Sequence, residues 1–118
     1  MKAKYFFKVN QGQRYPWAES NLSANGVDLL ELLLASDLSS VGKVEEFKKT
    51  VFVNGETWWF NATKVEIKGS ELVIYPAFDV SAEAYIETAL LKKVLEDWRD
   101  FLRSGKEVEI VYSEYGGN

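Results

Sequence analysis

The chain has 118 residues, 47% of them hydrophobic and 27% charged, and its 18 acids outnumber 14 bases to leave a net charge of −4 and a pI near 4.9. This is the balance of a globular chain that can bury roughly two-thirds of its unfolded surface, not of a disordered or lipid-embedded one. Neither Cys nor His occurs, which excludes disulfides, thiolate nucleophiles, Cys or His zinc sites and the imidazole base of most Ser hydrolases.

No apolar run is longer than the four residues 32–35, too few for a membrane span or a signal-peptide core. A cytoplasmic location without a membrane partner is the expectation, as is a single domain over residues 1–118 with a flexible tail at 113–118.

Residues 2–9 alternate, Ala3, Tyr5, Phe7 and Val9 against Lys2, Lys4, Phe6 and Lys8. This is the period of a half-buried strand, and its lysines suit an edge that must resist pairing with other chains. Residues 10–26, punctuated by Gly12, Pro16, Asn25 and Gly26, read as a loop that carries Tyr15 and Trp17. Residues 27–36 have no β-branched side chain after Val27 and predict a short helix, buried nearly all round, with Asp28 and Glu31 in its first turns.

Residues 41–49 are ambiguous: Val44, Phe47 and Val51 fit a helix, whereas Thr50, Val51, Phe52 and Val53 favour a strand. The segment is taken as an irregular lead into the sheet. Asn54-Gly55 predicts a two-residue hairpin turn, and Gly69-Ser70 predicts a second one between the alternating runs 64–68 and 71–75. A long helix is expected to start at Ser81 with Glu83 in its first turn and to close at Arg103 and Gly105. Its apolar stripe runs through Ile86, Leu90, Leu91, Val94, Leu95, Trp98, Phe101 and Leu102. Residues 106–112 complete the order as a last strand. The expected fold class is α+β: an antiparallel sheet of about five to six strands, with one long C-terminal helix and one short N-terminal helix packed on it.

Enzyme chemistry finds little to work with. The carboxylates closest in sequence, among them Glu96, Asp97 and Asp100, lie three or four residues from Lys92, Lys93 and Arg103, the spacing of ion pairs on a solvated helix face. The Gly116-Gly117 pair has no helix after it and makes no phosphate cradle. Lys2, Lys4, Lys8 and Arg14 mix with Tyr5, Phe6 and Phe7 as in nucleic-acid binders; the acidic net charge and the edge-strand role of the lysines argue against that partner. No catalytic residue, cofactor or metal is expected.

The informative charge pattern lies between Arg14 and Lys43, where every charge is negative: Glu19, Asp28, Glu31 and Asp37. This stretch accounts for the whole net charge. Tyr15 and Trp17 stand at its entrance, and an acidic patch with an aromatic anchor suits a basic partner protein. In Trp58-Trp59-Phe60 the two Trp must point to opposite faces of a strand. Trp59 is the seventh candidate contact residue, and an exposed ring there would also serve a homodimer.

Small size, acidity, the strand-helix-meander-helix-strand order and the segments Thr57-Trp58-Trp59-Phe60 and Leu95-Glu96-Asp97-Trp98 give the chain a character that resembles bacterial immunity proteins of contact-dependent growth inhibition and other polymorphic toxin systems. The resemblance implies a cytosolic, non-enzymatic inhibitor that covers the active site or substrate groove of a cognate toxin domain, often a basic nuclease. Two alternatives share the composition. A phage-encoded inhibitor of a host defence protein would use the same carboxylates, and a small ligand-binding module or enzyme built on Tyr, Lys and carboxylates would instead show a deep pocket of convergent polar groups.

Overall fold

A computed structural model describes residues 1–22, 28–77 and 82–112. The fold is α+β, but the strands form two antiparallel sheets in place of the single expected one: a three-stranded sheet of order β2-β1-β7 and a four-stranded sheet of order β3-β4-β5-β6.

The three-stranded sheet begins with β1 (Lys2–Asn10) and β2 (Gln13–Ser20), an antiparallel hairpin in register from Ala3 opposite Ser20 to Asn10 opposite Gln13. Residues 13–20, expected to be loop, are therefore strand. Gln11 and Gly12 join the two with φ values of 54° and 77°, the positive pair that a two-residue turn needs to match strand twist. Pro16 is tolerated because β2 is an edge strand. Ser20, on the same hydrogen-bonding side as Pro16, turns its N–H off the sheet to a side chain of the next helix. On the other flank β7 (Val108–Val111) pairs with Lys2, Ala3, Lys4 and Tyr5. β1 is thus the central strand, and its lysines lie on an open sheet face, not along the expected edge.

Between the sheets in sequence lie two short helices. α1 (Leu29–Leu32) runs on into a wider π-type turn, Leu33–Asp37, and buries Leu29, Leu30, Leu33 and Leu34. The predicted start at Val27 lies outside the described residues. α2 (Val41–Phe47) is capped by the Ser40 hydroxyl, which accepts the Lys43 N–H at 3.3 Å, and it also continues as a π-type turn, Lys48–Val53. The expected strand at 50–53 is absent because Val44, Phe47 and Val51 recur at helical spacing and are buried together, and that burial outweighs the β preference of Thr, Val and Phe. Asn54-Gly55 ends this helix and forms no hairpin: Gly55, at φ 68°, donates its N–H to the Val51 carbonyl at 3.1 Å. An Asn-Gly pair supplies positive φ equally well to a hairpin turn and to a helix C-terminus.

The four-stranded sheet contains β3 (Trp58–Trp59), β4 (Thr63–Lys68), β5 (Glu71–Pro76) and β6 (Ala84–Glu87). The Gly69-Ser70 turn is as expected, with Lys68 opposite Glu71. Ala84 and Ile86, assigned from sequence to the long helix, instead pair with Ile74 and Leu72 in the sheet. α3 (Thr88–Ser104) therefore starts later than expected; Ser81 lies outside the described residues, as does the tail at 113–118. Its first residue is anchored by the hairpin turn, since the Thr88 N–H donates to the Ser70 carbonyl at 2.9 Å. Its end is as predicted, with Arg103 in the last turn and Gly105 left-handed at φ 68°.

One hydrophobic cluster joins the inner faces of both sheets to the three helices. Trp98 lies at its centre: its ring meets Tyr5 edge-on at 5.5 Å and Phe101 at 5.2 Å, and its indole N–H donates to the Leu38 carbonyl at 2.7 Å. A chain of hydroxyls runs beside it. Tyr5 and Tyr112 are 2.8 Å apart, Tyr112 donates to Asp97 at 2.8 Å, and Lys93 pairs with the other Asp97 oxygen at 3.2 Å. Burial pushes both tyrosine hydroxyls above their usual range.

Trp98→Phe keeps an aromatic ring but removes the indole donor to the buried Leu38 carbonyl. It should cost about 1–3 kcal/mol, read in urea titration as a lower midpoint with an unchanged slope.

Candidate functional site

The β1–β2 pairing sets Lys4 opposite Glu19, Phe6 opposite Trp17 and Lys8 opposite Tyr15. All six share one face of the sheet, because α3 packs on the other face through Tyr5 and Phe7. Lysines lie over rings on this open face, Lys4 at 5.2 Å from the Phe6 centroid and Lys8 at 4.0 Å from that of Trp17. Tyr15 meets Trp17 edge-on at 6.3 Å. The expected aromatic anchor exists, on a strand and not on a loop.

Where the β2 edge approaches the start of α1, Trp17, Ala18, Glu19, Ser20, Asp28, Glu31 and Lys8 line an open depression of about 320 Å³. Three predicted carboxylates and the predicted Trp therefore meet in space. The acids differ in role. Glu19 and Asp28 are exposed, whereas Glu31 is only 7% exposed. Its Oε1 accepts the Ser20 N–H at 3.0 Å and the Ser20 hydroxyl at 3.1 Å, covering the edge strand. Among the described residues Oε2 is buried without a hydrogen-bond partner. Burial pushes the Glu31 carboxyl above its ordinary value, and the charge of Asp28 adds to this against the hydrogen bonds it accepts.

Asp37 and Trp59 lie elsewhere. Together with Lys43, Glu46, Trp58 and Phe60 they line a second depression of about 330 Å³ that has no residue in common with the first. Asp37 is 6% exposed; Oδ2 accepts the Thr63 hydroxyl at 2.7 Å and Oδ1 the Ala62 N–H at 3.3 Å. It is a tie between α1 and β4, with both oxygens engaged. Trp58 turns inward against Phe47 and Phe60, while Trp59 is 64% exposed with Lys64 at 4.5 Å over its ring.

Sequence reasoning missed Lys8 and Ser20. Both follow from the β1–β2 hairpin, whose signal was the alternation of Tyr15, Trp17 and Glu19 against Pro16, Ala18 and Ser20. Among the described residues no group of three carboxylates lies close enough to hold a metal ion, and no helix is long and apolar enough to cross a membrane. No family model, no curated protein and no solved structure matches the chain.

Two outcomes are expected. Glu31 binds its proton more tightly folded than unfolded, so the stability it contributes is complete below the ordinary carboxylate value and is lost as pH rises through the raised one. The groups facing it are Ser20, Glu19, Asp28 and Lys8. Glu31→Gln should flatten that part of the stability curve, measured by chemical denaturation across the weakly acidic range. Asp37→Ala leaves a buried hydroxyl and a backbone N–H without their acceptor and should cost about 2–4 kcal/mol by the same measurement.

Proposed function

We propose that this protein is a non-catalytic binding protein that inhibits a basic partner, in the manner of an immunity protein covering a toxin domain, through a surface centred on Trp17. One observation carries this: Trp17, Glu19, Asp28 and Glu31, drawn from a strand and a helix, converge on a single open depression. Exposed carboxylates there raise the encounter rate with a positive surface, and the ring supplies the area that slows release.

The adjoining sheet face favours a protein over a nucleic acid. Its lysines are interleaved with acids, Lys4 opposite Glu19 and Lys2 within 3.8 Å of Glu109, so a phosphate backbone would find no continuous positive track. Alternating charges around half-buried rings suit a protein interface. Asp37 is not part of this surface, because its oxygens are engaged by Ala62 and Thr63.

The partner should co-purify with the tagged protein from its native host, and binding kinetics then test the surface. Glu19→Lys with Asp28→Lys should slow association about tenfold at low salt and weaken its dependence on ionic strength. Trp17→Ala should act mainly on the off-rate, raising it about tenfold. Native rates in both variants would remove the surface from the interface.

A further inference from the structure

We propose that Asn54 is a site of spontaneous covalent modification governed by the helix end it closes. When that end opens, the Gly55 backbone nitrogen displaces the Asn54 side-chain amide, and the carboxylate left behind weakens the end further. None of the residues of the contact surface proposed above takes part.

The pair itself sets the chemistry. The Gly55 nitrogen gives its proton to a solvent base and attacks the Asn54 Cγ, forming an N–Cγ bond. The bond from Cγ to the side-chain nitrogen breaks, and that nitrogen takes up a proton and leaves as ammonia. The five-membered imide then adds one water and opens at either carbonyl, to an aspartate at position 54 or to its β-linked isomer. Water is the only co-reactant. Asn54 and Gly55 are both exposed, and among the described residues no atom beyond the chain neighbours lies within 4 Å of where a Gly55 Cβ would stand. Water therefore reaches the pair, and no side chain on Gly55 hinders the attack.

The folded helix end withholds the geometry this step needs. Ring closure requires the bond from the Asn54 carbonyl carbon to the Gly55 nitrogen to eclipse Cα–Cβ. At ψ −15° it nearly eclipses Cα–N instead. The proton is engaged as well: the Gly55 N–H donates to the Val51 carbonyl at 3.1 Å, and the Glu56 N–H donates to the Thr50 carbonyl at 3.1 Å. These are the nested bonds of a left-handed helix end, each spanning one residue more in this π-type turn. Turning Asn54 towards the reactive arrangement carries both N–H groups away from their carbonyls. Cyclisation therefore waits on opening of the cap, and its rate is that of the free chain multiplied by the open fraction. Residues 53–57 are exposed, so this opening uncovers no core and stays local. The product then favours it. The last carbonyls of a helix carry partial negative charge that a carboxylate at position 54 repels, and the β-linked isomer lengthens the backbone by a methylene ahead of both donors.

Wild-type protein incubated in mildly alkaline buffer, folded and in denaturing urea, tests the site and its lock without any variant. Trypsin cleavage after Lys49 and Lys64 separates residues 50–64 from the other Asn-Gly pair, at 25–26. Mass spectrometry should show amide-to-acid conversion at Asn54 in both samples, about tenfold or more slower in the folded one. Asn61, followed by Ala62 in the same peptide, should stay intact. The ratio of the two rates should match the protection of the Gly55 and Glu56 amides against hydrogen exchange. Asn54→Gln should abolish the conversion, and in Asn54→Asp both amides should exchange severalfold faster than in Asn54→Gln. An Asn54 that stays intact in urea would overturn the site, and equal rates folded and unfolded would overturn the lock. Equal exchange in the two variants would overturn the weakening by the product.

Discussion

Two neighbouring residues at the end of α1 bind the architecture together. The Leu38 carbonyl takes the indole N–H of Trp98, whose ring lies against Tyr5 of the three-stranded sheet, while the Asp37 carboxylate holds Ala62 and Thr63 at the start of the four-stranded one. One short segment thus connects α3 and both sheets through polar contacts inside an otherwise apolar cluster. Each contact is directional, so the segment specifies how the layers meet, where hydrophobic burial alone would leave their relative placement loose. Asp37 closes the widened turn Leu33–Asp37, and the Leu38 N–H reaches back to the Leu33 carbonyl at 2.9 Å.

The same helix shapes the candidate site at its other end. Glu31 closes the free edge of β2 by accepting from Ser20, a cover that protects a strand from pairing with other chains. That contact draws the first turn of α1 against the hairpin and places Asp28 beside Trp17 and Glu19. A single carboxylate thus holds both the backbone N–H and the hydroxyl of Ser20 through one oxygen. α3 occupies the opposite face of that sheet, and on the near face rings bearing lysines take the place of an apolar layer.

Much of this could be read locally. The alternation of residues 2–9, the Gly69-Ser70 turn, the Gly105 cap and the opposed directions of Trp58 and Trp59 need only strand and helix periods and the φ that glycine permits. Other readings failed where a local signal was shared by two structures or was weak. Ser81 and Glu83 resemble a helix start, yet Ala84 and Ile86 bury more by pairing with β5. Asn54-Gly55 resembles a hairpin, yet the residues before it bury a helical stripe. Gln11-Gly12 turns a hairpin without the usual Asn, so β2 passed for a loop.

By itself the sequence determined the α+β class, the acidic stretch with its Trp, the lack of thiol and imidazole chemistry and the long C-terminal helix, because each depends on composition or on near neighbours. Tertiary structure alone decided that the strands divide into two sheets, that β1 is central, that Glu31 and Asp37 are buried with different tasks, and that Trp17 and Trp59 serve separate depressions. Those outcomes depend on which distant segments bury one another and on which hydrogen-bonding groups remain to be satisfied, and neither is carried by any window of the chain.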